Sequence, residues 1–322
     1  MSVMKILVIS TVLKDKHKKA ISDVAEKAGA EVHFLTSEKG ITEDLLDAEI
    51  VYGFGVNYAK TNKNLKWLCV PSAGVDYLLK ADSFANENCL LTNSAGAYGV
   101  TIAEHIIAVS LMMMRRLTDQ HASALKGNWG FPKQQRSIKD CRITVLGTGD
   151  IGTNFARRAK AFEPEKIVGV CRSGKNNDPS YDLVLRTDEL DRILPETDLL
   201  VMSLPATKET ENILSRERIA LLPEGSYIVN VGRGSAIDED ALADSLENGK
   251  LAGAALDVFK VEPLPKDSRL WTTKNLLITP HVAGNLTLEH TLNRNVEMFC
   301  EDLNNYLLGK PLKYLVDRNK GY

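Results

Sequence analysis

Short apolar runs alternate with helix-spaced stretches along most of the chain. Residues 5–10, 31–35, 50–53 and 65–70 read as strands, and Leu90 with Leu91 marks another. Residues 14–29 carry Ala20, Ile21, Val24 and Ala25 at helical spacing and close on a glycine. The basic run from Lys14 to Lys19 reads as the solvated face of that helix. Residues 44–48 read as a short helix. The most apolar helical stretch is 101–117, with Ile102, Ala103, Ile106, Ile107, Val109, Leu111, Met112 and Met113. Such a helix is expected to be buried nearly all round and to pass between two domains. On it, His105 reads as a structural histidine and Met112 to Met114 as core filler.

The second half repeats the alternation. Ile143, Val145 and Leu146 form a strand-like run, a helix is expected over 151–162, and 167–170 is the next strand. Further strands are predicted at 199–204, 226–231, 253–258 and 276–279. A helix over 238–248 has Asp238 as its N-cap and Gly249 as its stop. A last helix covers 289–308 and ends at Gly309 and Pro311. Its late position suggests that the chain returns to the first domain, which would then be discontinuous. Alternating strands and helices imply parallel sheets with helices on both faces.

Length and composition narrow the class. A chain of 322 residues suggests two domains, and 44% hydrophobic with 25% charged residues is ordinary for a globular protein with a sizeable core. The formal net charge of −2 argues against nucleic acid or an anionic membrane as the main partner. No run of 18 apolar residues suggests a membrane span, and the short N-terminal apolar run reads as a strand, not a signal peptide. Cys69, Cys89, Cys141, Cys171 and Cys300 form no C-x-x-C pair, so no metal site is expected. Scattered single cysteines fit a reducing compartment, which points to the cytoplasm.

The candidate chemistry begins at Gly147-Thr148-Gly149-Asp150-Ile151-Gly152. This is a G-x-G-x-x-G pattern between a strand and a helix. The first glycine permits a tight turn, the second lets backbone approach a pyrophosphate, and the third lets helix and strand pack closely. The helix dipole then faces the phosphates. Three polar groups follow other strands. Arg233 lies between Gly232 and Gly234, where a guanidinium can grip a carboxylate with two hydrogen bonds. Glu262 lies just beyond Ala255 to Phe259. His281 lies just beyond the strand at 276–279. Reduction of a ketone by hydride needs an anchor for the substrate, a group that polarises the carbonyl and a proton donor. Arginine and histidine, with a carboxylate that favours the charged imidazole, supply these. Two small-residue loops, Pro71 to Asp76 and Asn93 to Tyr98, also follow strands and could hold an anion, although each alone reads as an ordinary turn.

Taken together, these motifs resemble the D-isomer-specific 2-hydroxyacid dehydrogenases. The matching segments are Ser72-Ala73-Gly74-Val75-Asp76, Gly147 to Gly152, Asn230-Val231-Gly232-Arg233-Gly234, Leu256-Asp257-Val258-Phe259 with Glu262-Pro263-Leu264, and Thr279-Pro280-His281-Val282-Ala283-Gly284. The resemblance implies an α/β protein with two doubly wound parallel-sheet domains. Residues 101–287 would form a Rossmann dinucleotide-binding domain. Residues 1–100 and 288–322 would form a discontinuous, flavodoxin-like substrate-binding domain, the two closing over a cleft. It further implies that Arg233 binds the substrate carboxylate and that His281, hydrogen-bonded to Glu262, donates the proton. Backbone at Ala73 and Gly74 would cradle the carboxylate. Asp257 would hold the nicotinamide amide, and Leu204, Pro205, Val231, His281 and Gly284 would line the cofactor. A homodimer is expected, and the chain ends without room for the regulatory extension of longer phosphoglycerate dehydrogenases.

One departure bears on the cofactor. NAD-dependent members carry an acid after the second strand to hold the ribose hydroxyls. Here that place has Cys171, followed by Arg172, Ser173, Gly174 and Lys175. Arg172 and Ser173 suit a 2′-phosphate, so NADP is expected, with NAD possible. The expected activity is reduction of a short 2-oxo acid, of the glyoxylate or hydroxypyruvate type, by NADPH to a D-2-hydroxy acid. The alternative is a dinucleotide-sensing corepressor or scaffold of the same fold. Tyr98, Trp129, Trp271 and Leu286 are candidates for the substrate pocket or for the core.

Overall fold

The computed structural model describes residues 3–130 and 134–321. The chain divides into two compact units, Met1–Tyr98 with Asn285–Tyr322, and Gly99–Gly284. In chain order the first unit contributes β1 (Lys5–Ile9), α1 (Asp15–Glu26), β2 (Glu31–Leu35), β3 (Ile50–Gly53), α2 (Val56–Thr61), β4 (Trp67–Cys69) and β5 (Leu90–Thr92). The second unit begins with α3 (Gly99–Met114) and α4 (Leu117–Ala124). It continues with β6 (Arg142–Leu146), α5 (Asp150–Ala159), β7 (Lys166–Cys171), β8 (Leu183–Arg186) and α6 (Leu190–Ile193). It closes with β9 (Leu199–Met202), α7 (Arg216–Leu221), β10 (Ser226–Asn230), α8 (Glu239–Glu247), β11 (Leu251–Leu256) and β12 (Leu276–Ile278). The chain then returns to the first unit through α9 (Glu289–Leu307).

Both sheets are wholly parallel. The first has the order β2-β1-β3-β4-β5, the flavodoxin-like winding. The second has the order β12-β11-β10-β9-β6-β7-β8, the Rossmann winding with one added edge strand. The physical basis is visible in the central strands. Ile6, Leu7 and Val8 of β1, and all four residues of β9, are buried on both faces, as a sheet covered by helices on each side requires. Helix α9 completes the first unit. Leu292, Val296, Phe299 and Leu303 pack on Ile6, Val8, Ile50, Tyr52 and Trp67. Phe299 stacks on Tyr52 with centroids 4.4 Å apart.

Several expectations needed correction. Residues 44–48 do not form a helix, and only a single 3-10 turn, Glu43–Leu45, occurs there. Helix α3 is not buried all round. Glu104 and Ala108 are exposed, Leu111 to Met113 only half-buried, and the helix packs on α5 of its own unit. Strand β8 gave little sequence signal, because it is an edge strand of four residues with only Leu185 buried. Helix α8 formed as expected, with Asp238 Oδ1 accepting the Ala241 N–H at 2.9 Å.

Candidate active site

In a parallel sheet every strand ends on the same edge, so the loops that follow β6, β7, β9, β10, β11 and β12 emerge together. The glycine-rich turn leaves β6. Gly147 has φ +102, a conformation that favours glycine. A Cβ on Gly152 would lie 2.0 Å from the Gly147 carbonyl oxygen and 2.9 Å from Val145 Cγ1, so only glycine lets α5 sit this close to the strand. A Cβ on Gly149 would meet nothing within 4 Å. The middle glycine therefore answers to no packing demand of the protein, while its backbone is open to a close neighbour. That is the arrangement a pyrophosphate needs, and these residues fit a dinucleotide. The turn is pinned from outside. Ser203 Oγ donates to the Gly147 carbonyl at 3.0 Å, and Asn176 Nδ2 to the Thr148 carbonyl at 2.9 Å. Asp150, exposed in the first turn of α5, accepts from Asn154 Nδ2 at 2.9 Å.

Beyond β7 the chain turns tightly through Gly174, at φ +65, with Arg172, Ser173 and Lys175 exposed. The Gly174 N–H bonds to the Cys171 carbonyl at 3.2 Å, and the Lys175 N–H bonds to Ser173 Oγ at 3.2 Å. Arg172 has an acidic neighbour in Glu209. The Glu209 carboxyl is held below its ordinary value by its own backbone N–H and the Thr207 hydroxyl, with Arg172 adding to the effect. Leu204 and Pro205 follow β9, and Val231 extends the ladder of β10 through its N–H to the Met202 carbonyl at 3.0 Å.

Arg233 is half-buried on the turn after β10. Asn230, fully buried, clamps that turn: its Nδ2 donates to the Arg233 carbonyl at 2.9 Å, and its Oδ1 accepts the Gly232 N–H at 3.1 Å. A Cβ on Gly234 would lie 1.9 Å from the Phe259 carbonyl carbon, so the arginine turn lies directly against the loop after β11. That loop carries Glu262. Its Oε1 accepts the Phe259 N–H at 2.8 Å, and its Oε2 lies 2.6 Å from His281 Nδ1. Glu239, the first residue of α8, holds the same loop by accepting the Lys260 N–H at 2.7 Å. The imidazole of His281 is 51% exposed and the Glu262 side chain 33%, so both remain open to solvent or ligand. Pairing at Nδ1 leaves Nε2 as the nitrogen that can exchange a proton with a substrate.

Asp257 has partners of its own within the protein. It is 3% exposed. Its Oδ1 accepts from Thr279 Oγ1 at 2.6 Å and the Val282 N–H at 2.9 Å, and its Oδ2 accepts the Ala283 N–H at 3.0 Å. Its observed work is to hold the histidine loop.

In the first unit, the loops after β4 and β5 are tied together. The Ser94 N–H donates to the Ser72 carbonyl at 2.9 Å, Asn93 Nδ2 to the Ala73 carbonyl at 2.7 Å, and Ser72 Oγ to the Gly74 carbonyl at 2.9 Å. Of the pocket candidates, Tyr98 is buried with its hydroxyl on the Pro71 carbonyl, and Leu286 is half-buried. Trp129 and Trp271 are not core residues: Trp129 is 99% exposed, and Trp271 is exposed with its indole N–H on the Pro265 carbonyl. Sequence reasoning named Arg233, Glu262 and His281. It assigned nothing to Asn230, Asn176 or Glu239, whose polar side chains act on neighbouring backbone and leave no periodic trace.

Comparison with known proteins identifies the family. Residues 107–283 match the family profile described as D-isomer specific 2-hydroxyacid dehydrogenase, NAD binding domain. An uncharacterized protein encoded in the proB 3' region of Corynebacterium melassecola is 34% identical over 270 residues, 80% of this chain and 86% of that one. The crystal structure of a D-isomer specific 2-hydroxyacid dehydrogenase family protein from Aeromonas salmonicida subsp. salmonicida A449 is similar at 30% identity, with a TM-score of 0.87 over 98% of this chain and 100% of that one. The crystal structure of an NADPH-dependent glyoxylate/hydroxypyruvate reductase from Sinorhizobium meliloti, in complex with NADP and sulfate, is similar at 25% identity. Its TM-score is 0.82 over 99% of this chain and 100% of that one.

Proposed function

The chain belongs to the D-isomer specific 2-hydroxyacid dehydrogenases, NAD(P)-dependent enzymes that move hydride between 2-oxo and 2-hydroxy acids, and we propose that it uses NADPH to reduce a short 2-oxo acid to the D-2-hydroxy acid. The observation that carries this reading is the pair His281 Nδ1 to Glu262 Oε2 at 2.6 Å, on loops that leave the same sheet edge as the glycine-rich turn and Arg233. When bound at the glycine-rich turn, the dinucleotide would supply hydride. The residues of the chain do the rest. Arg233 grips the carboxylate with its planar fork and draws charge toward the carbonyl oxygen. His281, charged and held through Nδ1 by Glu262, gives its Nε2 proton to the oxygen as negative charge develops there. In the reverse direction the neutral imidazole takes that proton back.

Preference for NADPH is supported by Cys171, which can neither accept from both ribose hydroxyls nor repel a 2′-phosphate, and by the exposed Arg172 and Ser173 beside it. The similarity to the NADPH-dependent Sinorhizobium reductase is consistent with this. A homodimer is supported by exposed apolar side chains in the second unit, Leu125 at 75% and Trp129 at 99%. Among the described residues no helix is long and apolar enough to cross a membrane, and all five cysteines are free thiols, which fits a reducing cytoplasm.

The test is kcat/KM with NADPH and with NADH on a panel of short 2-oxo acids, in the native protein and in Arg172→Ala. A charge-assisted contact to phosphate contributes roughly 1.5–3 kcal/mol, or about tenfold to a hundredfold in efficiency. NADPH is therefore expected to win by at least about tenfold, and Arg172→Ala to erase most of that margin through NADPH alone. A native preference for NADH overturns the cofactor assignment. Absence of turnover with both cofactors across the panel overturns the functional one.

A further inference from the structure

Behind the histidine loop runs a short polar chain that the reaction chemistry does not use. His105 on α3 is half-buried, with Nε2 3.4 Å from Thr279 Oγ1. Thr279 Oγ1 is 2.6 Å from Asp257 Oδ1. A hydroxyl has one proton, and a carboxylate only accepts. The threonine proton therefore goes to Asp257, and the imidazole donates to the threonine oxygen from Nε2. Burial keeps the His105 pKa below its ordinary value, against the opposing charge of Asp257, so at neutral pH the donor is the neutral Nε2–H tautomer.

Asp257 in turn holds three successive N–H groups of the loop. Its backbone carbonyl accepts from His281 at 2.8 Å, Oδ1 from Val282 at 2.9 Å and Oδ2 from Ala283 at 3.0 Å. His281 itself has φ +53, a left-handed conformation that a non-glycine residue keeps only when its surroundings impose it. The direction of its imidazole follows from that backbone.

We propose that Thr279 and His105 are positioning residues: by fixing the buried Asp257 carboxylate they hold His281 in the left-handed conformation that meets Glu262. The inference rests on His281 as the proton donor of the proposed reduction. It also has a consequence that needs neither cofactor nor turnover. The 2.6 Å contact between His281 Nδ1 and Glu262 should give a hydrogen-bonded proton resonance far downfield in the cofactor-free protein, assigned by its loss in His281→Ala.

The experiment compares Thr279→Val, Thr279→Ser and His105→Leu with the native protein. Thr279→Val keeps the shape and removes the hydroxyl. It is expected to broaden or abolish the downfield resonance and to lower kcat by at least about tenfold, the scale set by a misplaced catalytic group. KM for the 2-oxo acid should stay within about twofold, since Arg233 and its turn are not touched. Thr279→Ser should restore both resonance and kcat. His105→Leu leaves the bonds of Asp257 in place, so a smaller fall of about threefold in kcat is expected, with a weakened resonance. Native resonance and native kcat in Thr279→Val overturn the proposal. So does a fall in kcat that Thr279→Ser does not recover. Should Thr279→Val fail to fold, His105→Leu decides on the same two readings. A native protein that reduces no 2-oxo acid sinks the functional reading, and the resonance still decides the positioning role.

Discussion

The glycines at 149 and 152 share a motif, yet the structure assigns them different work, and alanine separates the two. In Gly152→Ala the new methyl would lie 2.0 Å from the Gly147 carbonyl oxygen and 2.9 Å from Val145 Cγ1. The first of these is a backbone atom and cannot swing away, so α5 must move off the strand. Overpacking of this kind costs about 1–3 kcal/mol. At roughly 2–4 °C per kcal/mol for a domain of 150–250 residues, the melting temperature should fall by about 2–12 °C. In Gly149→Ala the methyl meets nothing within 4 Å and φ is −76, so the fold should lose almost nothing, about 1 °C or less. Its cost should appear only when a pyrophosphate approaches. Losing one backbone hydrogen bond to a charged group costs roughly 1.5–3 kcal/mol, which is about tenfold to a hundredfold in Kd. The assay is differential scanning fluorimetry without nucleotide, together with NADPH titration by fluorescence. The reasoning is refuted if Gly149→Ala melts as early as Gly152→Ala while binding NADPH normally.

His281→Ala should lower kcat for 2-oxo acid reduction by at least about a hundredfold, the usual size of a general acid term, with NADPH affinity barely changed; near-native turnover at neutral pH would remove the histidine from the mechanism. Arg233→Lys keeps the charge but loses the planar two-point grip, so a steady-state assay should find KM for the 2-oxo acid raised severalfold and kcat lowered. Acid stability should depend on Asp198. Burial would raise its pKa, but hydrogen bonds from Arg142 and the neighbouring Arg136 overcome this and lower it to about 2. A folded value below the unfolded one stabilises the protein above about pH 4, and that stability is lost as pH falls toward 2. At 1.36 kcal/mol per unit this is worth about 2 kcal/mol. Denaturant unfolding followed from pH 5 to pH 2 should show the native protein losing that much more stability than Asp198→Asn across the window.

Much of this protein follows from local sequence. Buried parallel strands such as β1 and β9 carry continuous apolar runs, because both faces of each strand are covered. Asp238 before a helix and Gly249 after it act on the backbone nearest them, so their positions mark the ends of α8 directly. Arg233, Glu262 and His281 were legible because each stands just beyond a strand, and a parallel sheet must bring all strand ends to one edge. Tertiary structure decided what depends on groups distant along the chain. His105 looked like an ordinary buried histidine, and only the fold carries it to Thr279, which lies 174 residues away. The bonds of the Asp257 carboxylate to Thr279, Val282 and Ala283 left no mark in the sequence, because the loop that makes them lies more than twenty residues further on. Strand β8 left no signal and residues 44–48 were misread as a helix, because pairing at a sheet edge and the fit of a short turn depend on neighbours, not on periodicity. Hydrophobic pattern reports which face a residue turns to the core. Hydrogen-bond partners across the fold are set by distances that only the packed elements define.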